Sequence, residues 1–268
     1  MPLPNPTAYR YPNEHLILAL TLFSVLVIIM FTAAATVCGS VIFVAAMLVF
    51  AYAANQVHHQ ELVRQARLVT PEGLPGLAAL VHECETRLQA GPVRTFIAPG
   101  DVLNAYTFGL SSPKTVVLYA PLLQMMDADE LRFIVGHELG HVRLGHTWMN
   151  SLLGGMAGIP SPFGAAVLLH FAFRWWNRAC EYSADRAGVL ACGKPEKAIS
   201  ALVRLATGGG ERTQAAMERA LQHVEAEDDD AANVVGELLA THPLMVRRIE
   251  ALRRYAASEG YRRLQALV

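Results

Sequence analysis

The chain carries two histidines four residues apart, His137 and His141, with Glu138 directly after the first, inside LRFIVGHELGH. Residues four apart share one face of a helix, so both imidazoles can reach a single zinc ion while the Glu stands beside the metal's water. This H-E-x-x-H arrangement serves zinc hydrolases. The helix that would carry it has its start written in, with Asp127 as N-cap and Glu130 at the capping-box spacing. A catalytic zinc takes three protein ligands and keeps one position open, so a third ligand must be found. A metzincin would supply a Gly three residues after the second His and a third His six after it. Here Leu144 occupies the first of these positions and His146 comes five residues on. His146 is therefore expected at the helix C-terminus, favourable against the helix dipole. The better third ligand is Glu181 in RACEYSADRAGVLACG. Asp185, four residues later on the same helical face, can accept the free ring N–H of a ligating histidine and fix its tautomer.

In this order the motifs resemble the HtpX-like integral-membrane zinc metallopeptidases, gluzincins related to the CAAX prenyl proteases. Two further stretches join the resemblance. Asn104-Ala105-Tyr106 followed by KTVVLYAPLL is similar to the family's edge strand, and THPLMVRRIEAL is similar to its His-Pro segment, with His242, Pro243 and the pair Arg248-Ile249. The resemblance covers Thr95 to Leu252 and the N-terminal hydrophobic hairpin. It implies an α+β, mostly helical, zincin-like metallopeptidase domain with a small β-sheet, holding one Zn2+ per chain. By position, His137, His141 and Glu181 would be ligands and Glu138 the general base. Asn104 would hold substrate backbone, and His242 and Arg248 would sit near the scissile carbonyl. The implied activity is zinc-dependent endopeptidase hydrolysis of misfolded or membrane-associated proteins, with peptide bound extended by strand addition. The alternative is a membrane adaptor or sensor that uses such a domain for binding or signalling; a purely structural metal site has no need of Glu138.

The elements that must position these residues begin in a membrane. Hydrophobic residues make up 53% of the 268 and charged ones only 17%, below the roughly 25% of soluble domains. From Leu16 to Ala54 no charge occurs. One straight helix of that length would be about 58 Å, nearly twice a hydrocarbon core of about 30 Å. The run is expected as a transmembrane hairpin of two helices, about 16–35 and 39–54, turning near Gly39, after a tail at 1–15 and before a metallopeptidase domain at 55–268. A single span continuing as helix beyond the membrane is the other reading. A cleaved signal peptide is disfavoured because the apolar run continues past Ala33-Ala34-Ala35. Arg10, Arg64 and Arg67 flank the run, which points to an inner-membrane, multi-pass protein whose catalytic domain is cytoplasmic.

A second uncharged stretch, Thr147 to Phe173, is too short for two crossings. It is expected as a hydrophobic hairpin bent at Pro160-Ser161-Pro162, either in the membrane interface, anchored by Trp175 and Trp176, or packed on the domain. The family's usual pair of spans between H-E-x-x-H and the third ligand is thus absent. Residues 55–90 read as a polar connector and then an amphipathic helix from about Pro71, Val93–Ile97 and Thr115–Ala120 as strands, and KAISALVRLATGGG as a helix ended by glycines. EAEDDD (225–230) reads as a solvated acidic loop. A net charge of −1 excludes a strongly basic nucleic-acid binder. Four scattered cysteines without C-x-x-C exclude a disulfide framework or zinc knuckle. The partners expected are protein or peptide substrates and the lipid bilayer, with no nucleic acid.

Overall fold

The computed structural model describes residues 8–36, 39–153, 164–208 and 245–268. Helix α1 (Glu14–Thr36) and helix α2 (Gly39–Gln65) come first and pack on each other. Only α1, over Glu14–Ala34, is long and apolar enough to cross a membrane among the described residues. Its Leu20, Phe23, Met30 and Phe31 stand exposed, as a lipid-facing surface would require. Helix α2 runs past the expected end at 54 to Gln65, so residues 55–65 are helix and not connector. NQVHHQELVRQ contains neither Gly nor Pro, and His59 ties it down by stacking on Phe108, ring centroids 3.8 Å apart and planes nearly parallel.

The sheet has the order β1-β2-β4-β3, with β1 at Arg67–Leu68, β2 at Val93–Ala98, β3 at Ala105–Phe108 and β4 at Lys114–Tyr119. β2 and β4 are parallel, whereas β1 and β3 run antiparallel to their neighbours. β4 is central, with Thr115 to Leu118 buried, which explains its unbroken β-branched and apolar run. β3 is an edge, paired through Ala105–Leu118 and Phe108–Thr115.

Around the sheet stand α3 (Pro75–Leu88), α4 (Ala120–Met125), α5 (Ala128–Leu144), α6 (His146–Leu153), α7 (Gly164–Cys192), α8 (Pro195–Thr207), α9 (Met245–Ala256) and α10 (Glu259–Gln265). α3 starts later than the expected Pro71 because Thr70 Oγ1 accepts the Gly73 N–H at 3.1 Å, holding a turn ahead of it. Pro75 then fills the first helical turn, where its missing N–H costs nothing. α5 begins with the capping box that Asp127 and Glu130 imply. Asp127 Oδ1 accepts from the Asp129 and Glu130 N–H groups at 3.0 and 2.9 Å, and Glu130 Oε2 accepts from the Asp127 N–H at 2.9 Å.

α5 is the core helix, packed between the sheet, α3, α7 and α8. Its approach to α7 depends on small residues. A Cβ at Gly136 would lie 2.5 Å from Ala191 Cβ, one at Gly140 2.6 Å from Ala187 Cβ, and one at Gly188 2.8 Å from Phe133. This seam lets the two backbones come close enough for short side chains on both helices to share one point. The second half of the uncharged stretch after Thr147 belongs to α7, which runs unbroken from Gly164 into the region of Glu181. The expected bend at Pro160-Ser161-Pro162 lies outside the described residues. Trp176 is buried and clusters with Phe173, Cys180, Ile17, Leu18 and Val25, whereas Trp175 is exposed. This part of α7 therefore packs against α1.

Candidate metal centre

α5 presents His137 and His141 one turn apart, and α7 presents Glu181 opposite them. One ligand atom from each lies within 4.8 Å of the other two. The two Nε2 atoms are 3.2 Å apart, and Glu181 places Oε1 3.4 Å from His141 Nε2 and Oε2 3.6 Å from His137 Nε2. Two imidazole nitrogens and a carboxylate converging at that spacing could hold one metal ion and leave a position open. Both histidines are buried, so the lone pairs have little water to turn to.

The remaining contacts orient these groups. His137 Nδ1 lies 3.0 Å from Asp185 Oδ1. A carboxylate only accepts, so the proton sits on Nδ1 and leaves Nε2 free. Arg248 grips Asp185 with one edge of its guanidinium, Nε to Oδ2 at 2.9 Å and Nη2 to Oδ1 at 2.6 Å, while Nη1 is 3.2 Å from Glu181 Oε2. Burial would raise the Asp185 carboxyl, but Arg248 and His137 hold it below its ordinary value. Burial pushes the Glu138 carboxyl up, against the pull of His137 and His141. A buried carboxylate between two histidines, with its proton affinity raised, is suited to taking a proton.

The structure thus brings His137, Glu138, His141, Glu181, Asp185 and Arg248 together. Asn104 stands exposed at the start of the edge strand, its Oδ1 accepting the Ala105 N–H at 2.9 Å. His242 lies outside the described residues. His146 corrects the sequence reading. It is not the last residue of α5, because Gly145 adopts a left-handed conformation (φ 81°) and turns the chain. His146 opens α6, is buried, and places Nδ1 3.0 Å from His141 Nδ1 and Nε2 3.1 Å from Glu14 Oε1. Burial pushes its pKa down to about 4, so the ring is neutral. Glu14 was not foreseen. The available signal was a carboxylate at the start of an apolar run, which must find partners when buried.

This geometry agrees with the kinship of the sequence. Residues 76–256 match peptidase family M48. The chain belongs to peptidase family M48. It is similar to the plastoglobule-localized metallopeptidase 48 of Arabidopsis thaliana, with 26% identity over 78% of this chain and 65% of that protein. It is also similar to the protease HtpX homologs of Desulforapulum autotrophicum (27% identity, 70% of this chain, 72% of the relative) and Thermococcus kodakarensis (26%, 73% and 78%). The chain therefore spans just under two thirds of the plant protein's length and more of the other two. M48 enzymes are metallopeptidases, and the HtpX-like resemblance of the motifs is upheld. The matched segment holds the α5, α7 and α9 side chains of the centre, but neither Glu14 nor any other part of α1 and α2.

Proposed function

We propose that this M48 peptidase is a membrane-anchored zinc endopeptidase that cleaves misfolded or membrane-associated proteins. The observation that carries the reading is the convergence of His137 Nε2, His141 Nε2 and Glu181 within 4.8 Å beside a buried Glu138. Those three side chains would hold one Zn2+, which would supply Lewis-acid polarisation of the scissile carbonyl and lower the pKa of the attacking water to about 7. Glu138 then accepts the water's proton and delivers it to the leaving amine, a role its raised proton affinity favours. Asp185 holds His137 in the ligating tautomer. Arg248 is assigned to the carboxylates, whose orientation it fixes, and not to the carbonyl. His242 is assigned to the developing oxyanion. The open edge of β3, with Asn104 at its start, would take the peptide as an added strand.

The hairpin reading has its own support. Glu14, at the start of α1, touches His146, and His59, near the end of α2, stacks on β3. The two helices thus leave the peptidase domain and return to it, which suits two crossings with both flanks on the cytoplasmic side of the cell membrane. The deciding experiment is metal analysis joined to cleavage of an unfolded test protein. The wild type should carry one zinc per chain and cleave. Glu138→Gln should carry the same zinc and cleave at least 100-fold more slowly, about the contribution of a positioned base. Equal cleavage by both would sink the mechanism.

A further inference from the structure

The segment ahead of the apolar helix is built into the back of the metal centre. Tyr9 is fully buried in the main core. Arg10 donates from Nη2 to the Leu144 carbonyl at 3.1 Å, and its own carbonyl accepts from Arg186 Nη1 at 3.1 Å. Tyr11 donates its N–H to Ser183 Oγ at 2.8 Å. These bonds deliver Glu14, 2% exposed, to His146.

Proton placement along this line follows from donor and acceptor types. The Glu14 carboxylate only accepts, so His146 carries its proton on Nε2. His146 Nδ1 is then an acceptor, and the facing His141 Nδ1 must carry a proton. The lone pair of His141 is left on Nε2, on the side of His137 and Glu181. Trp176 packs edge-on against the His146 ring, centroids 5.9 Å apart at 86°, and sets its plane. His137 obtains the same tautomer directly from Asp185; His141 obtains it in two steps.

We propose that Glu14 and His146 are positioning residues that fix the tautomer and ring plane of His141, so that the first turn of the anchor helix completes the metal centre. This rests on the reading of His137, His141 and Glu181 as metal ligands. Glu14, His146 and Cys180 themselves lie close enough to hold a cation, but the contacts argue against a second metal there. Glu14 Oε1 is shared by Arg10 and His146, Oε2 is taken by Ser183, and the Arg10 guanidinium repels a cation.

The test measures zinc affinity of the full-length protein in detergent by competition with a chromophoric chelator, alongside the visible spectrum of the cobalt-loaded protein. His146→Leu should weaken zinc binding about 10- to 100-fold and alter the cobalt bands. His146→Gln offers one acceptor and one donor in the same order and should stay within about threefold of wild type. Glu14→Gln should weaken binding in a His146 background and add nothing to His146→Leu, because Glu14 acts through His146. Wild-type affinity in His146→Leu, equal loss in the Leu and Gln variants, or full additivity of the two sites would each overturn the proposal. Glu181→Ala separates the two levels. If it leaves zinc bound, the ligand assignment fails; if it releases zinc while His146→Leu does not, only the relay fails.

Discussion

At the residue scale the centre divides into groups that would touch the metal and groups that aim them. Glu181 is the outermost of the three ligands and the only one from α7, so Glu181→Ala should lose most of the zinc, measured as metal per chain after dialysis. Asp185→Asn should keep the fold and weaken zinc binding about 10- to 100-fold, since an amide holds the His137 tautomer less firmly and removes one of the two carboxylates that Arg248 pairs with. A full zinc complement in Glu181→Ala would mean the third ligand lies elsewhere. His137, Glu138, His141, Glu181 and Asp185 were all legible in the sequence because each sits at helical spacing from a partner. His146 was misread because its position depends on Gly145 leaving the helix, and a lone Gly after Leu144 also suits an ordinary helix end. Glu14 stands out as a carboxylate ahead of an apolar run, but 132 residues separate it from His146, and no local pattern names a partner at that distance.

At the element scale, the seam between α5 and α7 sets where the ligands meet. In Gly136-His137-Glu138-Leu139-Gly140-His141 the two glycines face α7, while the histidines and Glu carry the chemistry. Gly140→Ala puts a methyl 2.6 Å from Ala187 Cβ and 3.2 Å from Ala184 Cα, and overpacking of this kind costs about 1–3 kcal/mol. It should lower stability and zinc affinity together by spreading the helices. Gly76→Ala, whose Cβ would meet nothing within 4 Å, should do neither; thermal unfolding and chelator competition read both. The strands and the zinc helix could be placed from pattern, because alternation and capping are local signals. The helical extension of α2 could not, since its anchor is the stacking of His59 on Phe108 and Tyr106 of a distant strand. Burial among those rings depresses the His59 pKa to about 4 from its ordinary 6.5. A depressed folded-state value means the unfolded chain binds the proton first. The stability His59 contributes is therefore complete above pH 6.5 and is lost as pH falls toward 4. His59→Phe should remove part of the acid sensitivity between those values; an unchanged stability-versus-pH curve would rule this contribution out.

At the scale of the whole molecule, the anchor meets the peptidase domain through Glu14 behind α5, through Ile17, Leu18 and Val25 against α7, and through His59 on the edge strand. The Glu14 and His59 contacts lie at the start of α1 and near the end of α2. The first of these helices carries exposed Leu20, Phe23, Met30 and Phe31. A bilayer would cover that surface, and the basic flanks Arg10, Arg64 and Arg67 would remain on the domain's side, the cytoplasmic one in the reading proposed above. Thiol labelling of intact cells tests this arrangement in a background lacking Cys38. Engineered cysteines at position 5 and at Gln60 should resist an impermeant reagent, and one at Gly39 should react. A reactive position 5 with protected 39 and 60 would mean a single crossing, and α2 would then have to return to β3 without traversing the bilayer. Reactive cysteines at both 5 and 60 would put the metal centre outside the cell, where its substrates would be exported rather than cytoplasmic proteins.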